Sequence, residues 1–500
     1  MAAAVSAVAA MPLEQRVREH AARVPMQPAV VTPDCTLTWS ELDRAADALA
    51  ARLVARGLRP GDRIGWLARN RASYPVLVVA ARRARLAIVG LNWRLAAEEL
   101  AYIIRHAEPA LVFCEEEFRN QVPPAIATAT PELPQAAGDS FVALPPQPDD
   151  PMMLLYTSGT TGRPKGVVYP LAGLEQVLVA PTPLGLRADS IALIVPPVFH
   201  IAGSTWSQYA LVFGATQVLF PAAAPAAILE AIERWRVTHA VWVPTIVQMA
   251  LDEQRQRPRD LGSLQTLGYG AAPMPTELLR QALQTFRCRF VQAYGTTESL
   301  STVCHLPPEA HTPDGDRSDT PPATGYPDPG VMLRIVDTQT GKPLGPNQPG
   351  EVHVRLPWMR PRYWNLPAGV RSSFDAEDWL HTGDVGLIDE RGCLRLVDRL
   401  GDLIITGGEN VYPTEVENVL LTLPGVADVA VLGVDDPRWG QRVCAVLVAA
   451  PGSHLDPDMV IAGCRKRLAA YKCPTEIRIA SALPRNAAGK VVRRLLREQP

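Results

Sequence analysis

Between residues 156 and 167 the chain reads YTSGTTGRPKGV. Thr157, Ser158, Thr160 and Thr161 offer hydroxyls, and Lys165 adds a mobile cation. Gly159, Gly162 and Gly166 let backbone amides approach a ligand with no Cβ in the way. Converging N–H and O–H donors with one ammonium make a cradle for phosphate oxygens. The apolar runs PMMLLYT before it and GVVY after it read as strands, so the loop joins two strands. A Walker A loop instead carries G-x-x-x-x-G-K-[ST] and opens a helix, whereas here Pro164 precedes the lysine and Gly166 follows it. A plain polar hairpin would use the same glycines and threonines, so the phosphate reading depends on partners elsewhere in the chain.

Three such partners stand out. QAYGTTES (292–299) holds Glu298 among hydroxyls; a carboxylate beside phosphates is either metal-bound or repelled, which suits a hard, oxygen-liganded ion. HTGDVG (381–386) holds Asp384, whose two oxygens can accept two hydroxyls, although Asp in such a setting also forms turns. RNAAGKVVRR (485–494) holds Lys490. The chain has only five lysines (Lys165, Lys342, Lys466, Lys472, Lys490) against 44 arginines, so a lysine in a motif is unlike the generic surface cation of this sequence. A compact ammonium fits between two anions where a planar guanidinium fits poorly; the plainer reading of Lys490 is a surface lysine on a basic C-terminal helix.

Taken in order, these stretches resemble the motifs of the adenylate-forming superfamily: acyl-CoA synthetases, peptide-synthetase adenylation domains and luciferases. The matched motifs span residues 156 to 490. The resemblance implies ATP and Mg²⁺ as cofactors, with the 157–165 loop (Thr157, Ser158, Gly159, Thr160, Thr161, Gly162, Lys165) on the phosphates. It places Tyr294 against adenine, Gly295 in the nucleotide site, Thr296 or Thr297 at the α-phosphate, Glu298 on Mg²⁺ and Asp384 on the ribose with Arg399 near it. In GYGAAPMP (268–275), Gly270, Ala271 and Ala272 would run past adenine, and Lys490 would stabilise the charge formed when a carboxylate attacks the α-phosphorus. Gly407, Gly408 and Trp439 would serve coenzyme A. The hinge motif departs from the family at Gly401, where Lys or Asp is common.

PPVFHIAG (196–203) resembles the acyl-CoA synthetase branch, with His200 against the carboxylate and Phe199, Ile201, Ala202, Gly203, Trp242 and Tyr269 around the acyl group. The implied activity is that of an ATP-dependent, AMP-forming acid-CoA ligase for an uncharged aryl or medium-chain acid, most like the benzoate-type ligases. The alternative thiol is a carrier-protein phosphopantetheine; a luciferase-like oxygenase shares the motifs, and a non-catalytic scaffold would be expected to lose Glu298 or Lys490. The partners expected are a small carboxylic acid and CoA, in the cytoplasm; a homodimer is left open.

The elements that must position these residues follow from periodicity. SELDRAADALAARL puts Leu42, Ala46, Leu49 and Leu53 on one helical face behind a Ser40 cap, and RIGWL, LAIVGL and ALVFC alternate with it as strands. Strand–helix alternation predicts an α/β fold of helix-covered sheets. The Pro/Ala-rich segment QVPPAIATATPELPQ reads as a connection between subdomains, EVHVR and VGLIDERGCLRLVDR predict a β-rich subdomain, and the last hundred residues predict a small, mobile α+β domain. The predicted division is 1–398, a hinge at 399–402, and a lid at 403–500 carrying Lys490. With 500 residues several cores are expected, and a net charge of −2 argues against nucleic acid. No apolar run has the length of a membrane span. The Ala-rich N-terminus lacks a basic region and reads as an extension rather than a signal peptide, and eight scattered cysteines without a CxxC pair fit a reducing compartment.

Overall fold

The apolar runs pair into two large sheets, as expected where buried strands alternate with helices. The computed structural model describes residues 11–134, 140–157, 164–221, 224–311, 322–366, 372–406, 409–485 and 491–497. One sheet has nine strands, in the order Tyr326–Pro327, Thr302–Leu306, Arg289–Gly295, Thr266–Gly270, His239–Trp242, Ile191–Ile194, Thr216–Leu219, Pro28–Val31 and Thr36–Thr38. From Arg289–Gly295 to Pro28–Val31 its strands run parallel. The other has seven: Arg362–Tyr363, Lys165–Pro170, Pro151–Thr157, Ala87–Gly90, Arg63–Leu67, Leu111–Cys114 and Thr128–Ala129. It is parallel except where Lys165–Pro170 pairs antiparallel with both neighbours.

Local chemistry explains most boundaries. The helix Trp39–Ala55 buries Leu42, Ala46, Leu49 and Leu53 as its pattern predicts. Its cap is Thr38 rather than Ser40: the Thr38 hydroxyl accepts from the Glu41 amide while the Glu41 carboxylate accepts from the Thr38 amide, a reciprocal box that starts the helix at a buried Trp39. PVLVVAARR lies in a helix, Ser73–Arg83, with every residue buried. A segment with no polar face has no helical period, so its pattern could not announce it. Its last arginine is fully buried because Arg83 donates to Asp47 at 2.7 Å and to Asp43.

The Pro/Ala-rich segment does not separate subdomains. Thr128–Ala129 adds an edge strand to the seven-stranded sheet, and Pro151–Thr157 continues the same sheet. Prolines are tolerated there because they flank an edge strand, which needs few backbone donors. Downstream, Met332–Val336, Gly350–Arg355, Trp379–Ile388 and Leu394–Arg399 form an antiparallel sheet. The last two strands turn at Gly392, whose φ of +79° suits glycine. After the short turn Leu400–Asp402 the chain builds a separate five-stranded sheet with helices Pro413–Leu421 and Pro457–Arg465. Ile404, Val416, Leu420, Val431 and Leu447 belong to a core of its own. Pro457–Arg465 ends before the turn Ala470–Lys472. No helix among the described residues is long and apolar enough to cross a membrane, and all eight cysteines are free thiols.

Candidate active site

Several motifs come together because they end neighbouring parallel strands. Thr266–Gly270 lies in register between His239–Trp242 and Arg289–Gly295, so Gly270 to Ala272 and Gly295 to Thr297 leave the same sheet edge side by side. Ligands in open parallel sheets bind outside the carboxyl ends of strands. A Cβ at Gly270 would strike the Ala293 carbonyl, and one at Gly295 would strike that of Ser301; both glycines serve close backbone approach. Ala271 has φ of +65°, a left-handed conformation costing a residue with a Cβ about 1–2 kcal/mol. Strain of this kind clusters at binding sites.

Asp384 faces this edge from the antiparallel sheet. It is 5 % exposed, accepts from the Tyr294 hydroxyl at 2.7 Å through Oδ2 and pairs with Arg399 Nε at 2.9 Å through Oδ1. The Arg399 contact follows from strand register, since Asp384 and Arg399 are cross-strand partners. The Tyr294 contact joins residues 90 positions apart and has no local cause. Burial, reinforced by the Asp384 carboxylate, holds the Tyr294 hydroxyl far above its usual pKa, so it stays a proton donor. The tyrosine expected beside adenine is thus tied through its hydroxyl to the aspartate expected on the ribose.

Glu298 is half-buried on the short turn Thr297–Ser299. Its Oε1 accepts from the Tyr363 hydroxyl at 3.2 Å, and that hydroxyl lies 2.7 Å from Ser373 Oγ. One proton per hydroxyl orders the chain as Ser373 to Tyr363 to Glu298. Lys165 Nζ lies 5.5 Å from the centre of the Tyr363 ring, so that ring stands between the loop's cation and the carboxylate's support. Burial and the Glu298 charge raise the Tyr363 pKa. Tyr169 donates at 2.7 Å to the Thr297 carbonyl and anchors the turn to the other sheet. The Thr296 hydroxyl oxygen is buried and meets no hydrogen-bond partner among the described residues. A carboxylate with one oxygen committed to a tyrosine, next to an unspent hydroxyl, is an all-oxygen donor set that suits Mg²⁺.

His200 stands at the N-cap position of the helix Ile201–Phe213 and packs its ring 4.6 Å from that of Phe199. The preceding turn is splinted by Asn70, whose amide donates to Pro196 O at 3.1 Å while its oxygen accepts from the Val198 amide at 3.0 Å. Gly203 is required because a Cβ would strike the carbonyls of Pro196 and Pro197. Ile201 and Ala202 are half-buried, and Phe199 is buried. Trp242 and Tyr269, expected around the acyl group, are buried, at 1 % exposure each. Trp242 packs edge-on against Phe286, and the Tyr269 hydroxyl engages Gln292 and His311, both at 3.1 Å. They are cross-strand partners on one sheet face, and helices cover that face.

Thr157 and Lys165 are cross-strand partners flanking the glycine-rich loop; Ser158, Gly159, Thr160, Thr161 and Gly162 lie outside the described residues, as do Gly407, Gly408 and Lys490. Trp439 is 50 % exposed at a hairpin tip, with the Arg438 guanidinium 4.8 Å from its ring. Gly401 would meet nothing with a Cβ added, and its φ is not in the left-handed range, so this conformation makes no demand for glycine there. Pattern reading missed Asn70, Tyr363 and Arg493. Arg493, within the RNAAGKVVRR stretch, reaches Asp402 at 3.0 Å and Glu417 at 2.7 Å. It binds the residues after Lys490 to the turn between the two parts of the chain.

Similarity to known proteins matches this geometry. The chain is 37 % identical over 504 residues to a fatty acid–[acyl-carrier-protein] ligase of Streptomyces coeruleorubidus, covering 97 % of this chain and 96 % of that one. It is 37 % identical over 466 residues to a feruloyl-CoA synthase of an Amycolatopsis species, covering 91 % and 92 %. The o-succinylbenzoate CoA synthetase of Bacillus subtilis, solved with its acyl-adenylate intermediate, superposes with a TM-score of 0.86 at 30 % identity, covering 98 % and 99 %. Family models describe residues 17–364 as an AMP-binding enzyme and 415–490 as the C-terminal domain of such an enzyme. By fold, by motif order and by these matches, the chain belongs to the AMP-binding enzyme family.

Proposed function

We propose that the protein is an ATP-dependent, AMP-forming carboxylic acid–CoA ligase: it activates a monocarboxylic acid as an acyl-adenylate and passes the acyl group to CoA. The observation that carries this reading is the meeting of Asp384, Tyr294 and Arg399 beside the Glu298 turn at the carboxyl edge of a parallel sheet. In it Asp384 takes the ribose hydroxyls, Thr296 or Thr297 the α-phosphate, and Tyr294 with Gly270 to Ala272 the adenine, Gly295 lying in the same nucleotide site. Glu298 holds Mg²⁺, which supplies charge neutralisation on the phosphates. The loop 157–165 holds the pyrophosphate end. Preorganised cations are the main means of stabilising charge that develops between two anions, and Lys490 fills that role. Phe199, His200, Ile201, Ala202 and Gly203 border the acid, an uncharged aryl or medium-chain compound. Gly407, Gly408 and Trp439 serve CoA. Residues 1–398 form the larger part and 403–500 a lid turning about 399–402, where Gly401 leaves the backbone free to rotate. The cytoplasm is the proposed compartment.

A panel of aryl and alkanoic acids with ATP, Mg²⁺ and CoA, scored for AMP and for thioester, tests the reading. Acid-dependent AMP with thioester supports it, and no AMP with any acid refutes it. Acid-dependent pyrophosphate release without CoA thioester would favour the second reading, a ligase loading a carrier-protein phosphopantetheine. The similarity to the S. coeruleorubidus enzyme, named for that thiol, favours keeping it in the test.

A further inference from the structure

Behind the bend that presents Asp384 lies a second cluster of polar side chains that the proposed reaction does not use. Glu351 and His353 stand on one strand, with a bulge between them, and His353 is the cross-strand partner of His381. The two imidazoles lie with ring centres 3.9 Å apart. Both turn a nitrogen toward one oxygen: Glu351 Oε2 lies 3.1 Å from His353 Nε2 and 3.8 Å from His381 Nδ1. All three donor atoms lie within 4.8 Å of one another. A tetrahedral zinc site, with bonds near 2.0–2.1 Å, holds its donors about 3.3 Å apart. The other atoms of Glu351 and His381 are engaged as an ion site requires, whereas His353 Nδ1 faces the Arg334 guanidinium, itself a donor, so an ion on Nε2 requires that guanidinium to turn away toward Asp375. Glu351 Oε1 accepts from the Gly383 amide at 3.1 Å, leaving Oε2 to a ligand. His381 Nε2 lies 3.3 Å from Asp375, the outer carboxylate that commonly orients a metal-bound histidine. Arg334 is near, 3.4 Å from His353 Nδ1, but it also meets Asp375 at 3.3 Å and lies over the Trp379 ring at 4.2 Å. Asp375 therefore offsets its charge.

We propose that Glu351, His353 and His381 form a site for a borderline divalent transition ion of the zinc class, with a fourth position open to solvent. The donor set of two imidazoles and one carboxylate suits such an ion rather than Mg²⁺, which selects oxygen. His381 is the entry side, with its side chain 41 % exposed. The ion ties two strands together at the Gly383 bend, one residue before Asp384, and so braces the carboxylate assigned to the ribose. The test uses full-length protein stripped by a chelator, without ATP, so that its outcome is independent of the ligase reading. Zn²⁺ alone is titrated against a chromophoric chelator, and Co²⁺ is titrated separately and followed by absorption. Expected are one tight ion per chain, a four-coordinate Co²⁺ spectrum, affinity about 10-fold weaker in Asp375→Asn, and at least about 100-fold weaker in His381→Gln. Zn²⁺ should raise the Tm of the parent protein and leave that of His381→Gln unmoved. Absence of a tight ion, a six-coordinate Co²⁺ spectrum in the parent protein, or equal Zn²⁺ affinity in parent and His381→Gln overturns the proposal.

Discussion

Replacing Tyr363 by Phe isolates one hydrogen bond near the proposed Mg²⁺ ligand. The ring beneath Lys165 remains, so the 5.5 Å cation–ring contact persists, and only the hydroxyl joining Ser373 to Glu298 is lost. A hydrogen bond to a charged group is worth about 1.5–3 kcal/mol, and at 3.2 Å this one belongs at the lower end. Independently, loss of an outer partner of a metal ligand costs about 10- to 100-fold in metal affinity. The two routes meet near tenfold. With ATP and acid fixed and Mg²⁺ varied, acid-dependent pyrophosphate release should need about ten times more Mg²⁺ for half its maximal rate. The plateau rate should stay within about threefold, because Tyr363 touches Glu298 rather than the reacting atoms. Tyr363→Leu, which also removes the ring, should cost more. An unchanged Mg²⁺ midpoint in folded Tyr363→Phe, or an equal loss at every Mg²⁺ concentration, would refute the reasoning.

Three further outcomes follow from the same structure and motifs. Lys490→Ala should slow adenylation by about 10²- to 10³-fold while thioester formation from supplied acyl-adenylate continues; stopped-flow assays of each half-reaction would show whether both fall together, which would end the assignment. Arg83→Ala should cost about 3 kcal/mol in denaturant unfolding, because it removes the buried partner of Asp43 and leaves Asp47 only the half-exposed Arg18; a loss under about 1 kcal/mol would mean that Arg18 and solvent suffice for those carboxylates. His239, buried and facing the Arg187 and Arg289 charges, has its pKa lowered from 6.5 to about 4. Across that window the unfolded chain binds a proton that the folded chain refuses, so stability falls as pH falls, by roughly 3 kcal/mol in total. Unfolding midpoints of the parent protein and His239→Asn, compared from pH 7 to 4, should converge toward acid; parallel curves would count against the shift.

Helices and strands with one buried face were legible in the sequence, because their periods of 3.6 and 2 residues are written in the order of apolar and polar side chains. Ser73–Arg83 was not, since burial on all sides erases the period, and Thr128–Ala129 was hidden because a two-residue edge strand has none. The motifs were legible for a related reason. A phosphate cradle, a metal-seeking carboxylate and a rare lysine each need particular residue types within a few positions. What those motifs lean on was not. Asn70 on the Pro196–Val198 turn, Tyr363 on Glu298 and Arg493 on Asp402 act across 128, 65 and 91 positions, so no local spacing records them. Trp242 and Tyr269 show the converse: their aromatic type was plain in the sequence, and only the structure shows them buried against the helices that cover their sheet face. The sequence by itself determined which chemistry the chain can support, because chemistry depends on residue type. Tertiary structure decided which of those groups meet and what holds them, because hydrogen bonds and packing act over distance in space, not along the chain.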